Sequence, residues 1–113
     1  MKSDKEFRDI RTAVIGAGSM GQNHARTYND ISNLVAIADT DDIQGKRIAE
    51  RFGIKWFRDY RDMLGEVDVV TVAVPTSIHR RVVETVAREG IDLLVEKPLA
   101  GNSLRSEERR VGK

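Results

Sequence analysis

Three glycines near the start of the chain have the spacing of a phosphate-binding turn. Gly16, Gly18 and Gly21 form a G-x-G-x-x-G pattern directly after a short apolar run. Such a turn lets the backbone approach a pyrophosphate, whose negative charge is met by the amides at a helix N-terminus. The spacing alone is weak, because nine glycines in 113 residues can produce it by chance. It predicts a bound dinucleotide only where a strand precedes it and a helix follows.

A carboxylate stands at the position that a dinucleotide-binding unit requires. Asp39 ends a second apolar run about 20 residues after the glycines. There its side chain can accept hydrogen bonds from the hydroxyls of an adenosine ribose, and it would repel a 2′-phosphate. Asp41 and Asp42 add negative charge nearby and no Arg follows immediately, so the pattern favours NAD over NADP. We interpret Asp41 and Asp42 as helix caps, and a capping or turn role for Asp39 stays open.

Apolar periodicity predicts the elements that must position these residues. Strands are expected over residues 11–16, 33–38, 55–57, 67–74 and 91–95, and helices over about 19–29, 42–52 and 76–89, with one or two helical turns ending near 64. Asp59 is expected to cap those turns, Thr76 or Ser77 the last helix, and Gly53 to end the helix before it. Strands and helices alternate with no hairpin signal between them. This order predicts the α/β class, with a doubly wound parallel sheet and right-handed crossovers.

The bulk composition fits one such domain and argues against several other classes. The chain has 113 residues, 40% of them hydrophobic, which is enough for a single core. Its net charge of +1 gives no field suited to nucleic acid or an anionic membrane. No apolar stretch reaches the ~18 residues of a spanning helix, and the mixed-charge opening has no signal core. Because there is no cysteine, disulfides and Cys-ligated metals are excluded; we expect no metal site and a cytoplasmic location.

The sequence divides into three parts. Residues 1–10 form a lead-in, residues 11–100 the predicted domain, and residues 101–113 a charged tail with few apolar side chains. This composition favours a solvated or disordered tail. Alternating Glu and Arg argue against a basic arm for nucleic acid. A tail that is foreign to the gene is the remaining alternative.

Four ordered motifs together resemble one known family. They are G-x-G-x-M-G-x-x-H at residues 16–24, A-D-x-D at 38–41, V-P-T-x-x-H at 74–79 and E-K-P-L-A at 96–100. Over about residues 10–100 the chain resembles the Gfo/Idh/MocA oxidoreductases. The resemblance implies a Rossmann NAD(P)-binding domain followed by a second α/β domain. It also implies an NAD(P)-dependent dehydrogenase of sugars, inositols or related polyols, with homo-oligomeric full-length relatives.

The same resemblance implies which residues form the site. Lys97 matches a catalytic lysine near the nicotinamide and the substrate hydroxyl, where an ammonium can assist proton transfer. Pro98 matches a proline that shapes this turn, often through a cis bond, and Glu96 either orients Lys97 or forms a structural ion pair with it. For His79 a packing or surface role stays open, and His24 is expected to pack. The cofactor-binding residues so implied are Gly16, Gly18, Ser19, Met20, Gly21, Asp39, Val74, Pro75, Thr76, His79, Glu96 and Lys97.

The resemblance ends near Ala100, and this limits the expected activity. Family members continue into a substrate domain that carries a catalytic histidine, whereas His24 and His79 are the only histidines of this sequence and neither matches it. We therefore expect the second, substrate domain to be missing, and this polypeptide to bind NAD without turnover. Two alternatives stay open: a stand-alone NAD(H)-sensing or regulatory module, and a relative that has lost cofactor binding.

Overall fold

A five-stranded parallel sheet forms the centre of the molecule. The computed structural model describes residues 7–95. The elements are β1 (Arg11–Ile15), α1 (Ser19–Ile31), β2 (Asn33–Ala38), α2 (Asp42–Phe52), β3 (Lys55–Phe57), β4 (Val69–Val72), α3 (Thr76–Arg88) and β5 (Asp92–Val95), with 3-10 helices at Phe7–Asp9 and Tyr60–Glu66. The strand order is β3-β2-β1-β4-β5, and every neighbouring pair is parallel. The predicted doubly wound parallel sheet is confirmed.

Both faces of the sheet are covered, so its central strand is buried on each side. Alternate residues of β1 point to opposite faces: Ala13 and Ile15 join one core, and Val14 joins the other. The covering residues are Ala25, Tyr28, Ile48 and Ala49 of α1 and α2 on one face, and Met63, Leu64, Val82 and Val86 on the other. The helices begin at the same edge of the sheet because all its strands are parallel. They lie on opposite faces because the chain leaves β1 toward β2 but leaves β4 toward β5.

The ends of α2 follow the local sequence signals. Asp41 is the N-cap, and its side chain accepts a hydrogen bond from the backbone N–H of Gln44 at 3.2 Å. Gly53 ends the helix with a left-handed φ of 69°, a conformation that costs glycine little. Asp59 likewise caps the 3-10 helix that follows β3, accepting from the N–H of Arg61 at 3.0 Å. These three predicted roles are confirmed.

The start of α3 differs from the prediction. Thr76 or Ser77 was expected to be the N-cap, but the N-cap is Pro75, and α3, which lies wholly within the described residues, has no side-chain hydrogen bond to its cap. The fixed φ of Pro75, −57°, lets the chain enter the helix one residue early. Both hydroxyl residues therefore fall inside the first turn, where they cannot act as caps.

β4 is shorter than the apolar run that predicts it. The run covers residues 67–74, whereas the strand covers only Val69–Val72. The reason is the partner strand: Val72 pairs with Ile15, the last residue of β1, before the chain turns at Gly16. Since a parallel strand needs neighbours for its backbone groups, β4 ends where β1 ends.

In the part of the chain that the structure describes, no helix combines the length and the apolar character that crossing a membrane requires.

Candidate functional site

A cleft of about 850 Å³ opens at the carboxyl edge of the sheet, where the residues after β1, β2 and β4 meet. In open α/β sheets this edge, at the point where the strand order reverses, is where ligands bind. The cleft is lined by nine of the residues predicted for the site: Gly16, Gly18, Ser19, Met20, Asp39, Val74, Pro75, Thr76 and His79. The fold therefore brings together residues from three separate segments of the sequence.

Gly16 provides the sharp turn that ends β1. Its φ is 111°, which L side chains rarely adopt, and a Cβ there would lie 2.2 Å from the carbonyl oxygen of Ala73. The backbone N–H of Gly16 donates to the carbonyl of Ala38 at 2.8 Å, which fixes the turn against β2. Only glycine fits this position.

Gly18 and Gly21 have different surroundings although they share one motif. Gly18 is the N-cap of α1, and an added Cβ would meet no atom of the described residues within 4 Å. A Cβ on Gly21 would lie 1.8 Å from the carbonyl oxygen of Gly16. Gly21 thus lets α1 pack on the turn, outside the described cleft lining, whereas Gly18 leaves space in the cleft itself.

The N-terminus of α1 suits a negatively charged group. Its first turn contains no acidic residue, and nothing among residues 7–95 supplies a side-chain hydrogen bond to cap it. Backbone N–H groups at such a helix start lack intrahelical partners and carry partial positive charge. With the open space beside Gly18, this end of α1 forms a place where the backbone can meet a phosphate group.

The carboxylate of Asp39 is held in place beside the glycine turn. One oxygen, Oδ2, accepts from the N–H of Ala17 at 2.6 Å, and Oδ1 accepts from the N–H of Asp41 at 2.8 Å. These bonds join the glycine turn to the start of α2. Because each carboxylate oxygen can accept more than one hydrogen bond, the side chain keeps acceptor capacity for hydroxyl groups in the cleft.

The structure also brings an arginine to the cleft that sequence reasoning missed. Arg58 follows β3 directly and lines the cleft with Asp39 and Thr40. Its Nη1 donates to the carbonyl of Thr40 at 3.2 Å, and its Nη2 lies 3.5 Å from Oδ2 of Asp42. A signal for it existed: a strand over residues 55–57 was predicted in a parallel sheet, and the residues that follow parallel strands meet at one edge of the sheet.

The start of α3 forms the opposite wall. Pro75 and Thr76 line the cleft, and the carbonyl of Pro75 accepts from the N–H of Ile78 at 3.1 Å. His79 also lines it, and its Nε2 is buried with no hydrogen-bond partner among the atoms of residues 7–95. A buried ring nitrogen without a hydrogen-bond partner lowers the stability of the fold unless a further group forms a hydrogen bond with it. His24 is half-buried in α1, outside the described cleft lining.

Glu96, Lys97 and Pro98 lie outside the described residues, as does the predicted tail of residues 101–113. The roles assigned to them therefore stay predictions. Within the described part of the chain, no group of three His, Cys, Asp or Glu side chains could hold a metal ion.

The sheet order, the glycine turn and the fixed carboxylate together define a Rossmann-type dinucleotide-binding domain. A comparison with protein families gives the particular group. Residues 10–109 match GFO_IDH_MocA, described as an oxidoreductase family with an NAD-binding Rossmann fold. The chain belongs to this family, and the match extends beyond residue 100, where the motif resemblance ends.

Individual relatives carry the names of sugar and inositol dehydrogenases. The chain is 36% identical over 89 residues to UDP-N-acetylglucosamine 3-dehydrogenase of Acidithiobacillus ferrooxidans, covering 79% of this chain and 28% of the relative. It is 33% identical over 101 residues to inositol 2-dehydrogenase 1 of Saccharopolyspora erythraea, covering 83% and 30%. The crystal structure of GenD2 from gentamicin A biosynthesis, in complex with NAD, superposes with a TM-score of 0.78 at 31% identity, covering 84% of this chain and 28% of that one.

Proposed function

We propose that this chain supplies the NAD-binding part of an oxidoreductase that transfers hydride between the cofactor and a sugar, an inositol or a related polyol. One observation carries the proposal: the carboxylate of Asp39 is bonded to the turn whose Gly18 leaves the start of α1 open. A carboxylate and an uncapped helix start at this spacing suit the ribose hydroxyls and the pyrophosphate of one dinucleotide.

The arrangement of charge favours NAD over NADP. Asp39 and Asp41 line the ribose end of the cleft, and Arg58 reaches it from the end of β3, where it contacts Asp42 at 3.5 Å. A 2′-phosphate placed there would meet more negative than positive charge. Asp39 would also lose the ribose hydroxyl that it accepts from in NAD.

The opposite wall is assigned to the nicotinamide. We propose that Val74, Pro75, Thr76 and His79 contact that part of the cofactor, since all four line the cleft between the end of β4 and the first turn of α3. Nicotinamide, when bound, supplies the carbon that gives or accepts hydride. For Lys97 we propose the proton-transfer role that the family resemblance implies.

The substrate class comes from the relatives. The two dehydrogenases named above act, by their names, on a sugar nucleotide and on inositol, both of which carry hydroxyl groups on a ring. The chain spans only 28% and 30% of those relatives' lengths. The substrate class is therefore proposed from the relatives, and residues 7–95 do not determine it. The cytoplasmic location and the homo-oligomeric state of full-length relatives stay predictions.

Calorimetric titration of the 113-residue chain with NAD and with NADP tests the proposal. We expect NAD to bind and NADP to bind more weakly. Asp39→Ala should weaken NAD binding about 10- to 100-fold, since hydrogen bonds to a charged group are lost. Asp62→Ala is the matched control, because Asp62 is an exposed acid of the 3-10 helix outside the cleft lining. Absence of heat with NAD would contradict the proposal.

A second measurement concerns turnover. We expect no steady production of NADH when the same chain is mixed with NAD and a panel of sugars and inositols. Hydride transfer needs the substrate held against the nicotinamide with its proton acceptor in place. Sustained absorbance of NADH above a protein-free control would show that these 113 residues suffice for the reaction.

A further inference from the structure

Arg58 is a cationic side chain in the cleft that the assignments of pyrophosphate, ribose and nicotinamide leave unused. It follows β3 and lines the cleft beside Asp39 and Thr40. Its side chain is 60% exposed, so the guanidinium is accessible to a ligand. Its position next to the ribose carboxylate puts it at the adenosine end of the cleft.

The guanidinium rests on an aromatic support. Its Cζ lies 5.3 Å from the centroid of the Trp56 ring, within the range of a cation–π contact. The indole is itself fixed: Nε1 donates to the carbonyl of Asp39 at 3.0 Å, and a Cβ on Gly45 of α2 would lie 2.3 Å from that nitrogen. Trp56 therefore packs tightly against α2, and the guanidinium of Arg58 lies over its ring.

Two hydrogen bonds orient Arg58 and leave other N–H groups of its guanidinium available to a ligand. Nη1 donates to the carbonyl of Thr40 at 3.2 Å, and the contact of Nη2 with Asp42 is long at 3.5 Å. The indole lies on one side of the guanidinium, and the side chain of Arg58 is largely exposed. This exposure leaves the planar guanidinium available to stack with another planar group.

We propose that Arg58 is the stacking surface for the adenine base of the cofactor, so that Trp56, Arg58 and adenine form one stack. The inference rests on the proposed function. Asp39 fixes the ribose, and the base attached to that ribose must lie close to Thr40, which Arg58 contacts. An uncharged base is favoured over a 2′-phosphate here because the carboxylates of Asp39 and Asp41 line this end of the cleft and Asp42 contacts the guanidinium at 3.5 Å.

Titrations of the full chain and three variants test the stack. NAD and ADP-ribose both carry the adenine, and nicotinamide mononucleotide lacks it. Arg58→Ala should weaken NAD and ADP-ribose by the same factor, roughly 3- to 30-fold, as expected for a partly desolvated cation–π contact. Arg58→Lys keeps the charge but not the plane, so it should show most of this loss. Weak binding of nicotinamide mononucleotide should not change.

Arg61→Ala is the matched control. Arg61 also follows β3, but it pairs with Asp59 at 2.8 Å outside the described cleft lining, and its variant should bind NAD like the parent chain. Trp56 is the single tryptophan of the sequence. Its fluorescence should therefore change when NAD binds the parent chain and respond much less in Arg58→Ala. Circular dichroism checks that each variant is folded.

The outcomes separate the inference from the proposed function. If the parent chain does not bind NAD, the proposed function fails and the inference fails with it. If the parent chain binds and Arg58→Ala binds equally well, only the inference is overturned. Full affinity in Arg58→Lys, or a loss for NADP far larger than for NAD in Arg58→Ala, would also overturn it, since charge and not stacking would then be the contribution of Arg58.

Discussion

At the scale of single residues, Gly18 and Gly21 belong to one motif, yet a methyl group added to each would meet different surroundings. Beside Gly18 the described part of the chain leaves open space, whereas the methyl on Gly21 would overlap the carbonyl of Gly16. The backbone of Gly18 has a φ of −74°, which any residue can adopt. A side chain at Gly18 should therefore affect ligand binding, and a side chain at Gly21 should affect folding.

Alanine substitutions should reveal this separation. Gly18→Ala should unfold at the same temperature as the parent chain but bind NAD at least about tenfold more weakly, because the methyl occupies the space proposed for pyrophosphate. Gly21→Ala should lose roughly 1–3 kcal/mol of stability through the overlap. Thermal unfolding and calorimetry measure the two effects. A Gly18→Ala protein that binds NAD normally would contradict the assignment of this space.

Arg58 is an example of a site residue whose contacts cannot be predicted from the sequence. Asp39 was found because its distance from the glycine turn along the chain is characteristic. Arg58 reaches the same site only because Ala38 pairs with Phe57 across β2 and β3. The register of such a pairing is set by packing in three dimensions, so the sequence gives the edge on which Arg58 lies but not its contact with Thr40.

At the scale of elements, the helix ends show which signals are local. The cap of α2 by Asp41 and its end at Gly53 each depend on a few neighbouring residues, and both were predictable. The length of β4 depends on where β1 turns, which is a contact between distant segments. Local chemistry thus predicts where elements exist, and partner strands decide how far they extend.

One buried polar pair joins α1 to β4 in addition to the apolar contacts of this helix. The hydroxyls of Tyr28 and Thr71 form a hydrogen bond, and both residues are buried, with 4% and 2% of their surface exposed. Burial raises the pKa of Tyr28, although its bond to Thr71 acts in the opposite direction. The hydroxyl of Tyr28 therefore stays protonated at neutral pH and can take part in this bond.

Removing both partners of this pair should cost less than the sum of the costs of removing each one alone. Tyr28→Phe leaves the Thr71 hydroxyl buried without its partner and should lower the free energy of unfolding by roughly 1–3 kcal/mol. In Tyr28→Phe/Thr71→Val no unsatisfied hydroxyl remains, so the double variant should lose less than the sum of the two single losses. Urea unfolding of the four proteins gives the comparison. Additive losses would show that the two hydroxyls do not stabilise each other.

At the scale of the whole molecule, the cleft joins the half of the sheet that contains β1 and β2 to the half that contains β4 and β5. The glycine turn and Asp39 belong to the β1–β2 half, and the residues from Pro75 to His79 belong to the half that begins with β4. A dinucleotide that spans the cleft contacts both halves and can bind only when they are folded together. Cofactor binding and global folding should therefore be linked.

This linkage predicts a rise in thermal stability. With NAD at 100 times its dissociation constant, a ligand that binds only the folded state adds about 2.7 kcal/mol. For a domain of this size that corresponds to a rise in melting temperature of about 10 °C. Gly18→Ala, which should retain the fold but bind weakly, should show a much smaller rise at the same NAD concentration. Scanning calorimetry measures both proteins, and an equal rise in the two would mean that NAD stabilises the chain from a place other than the glycine turn.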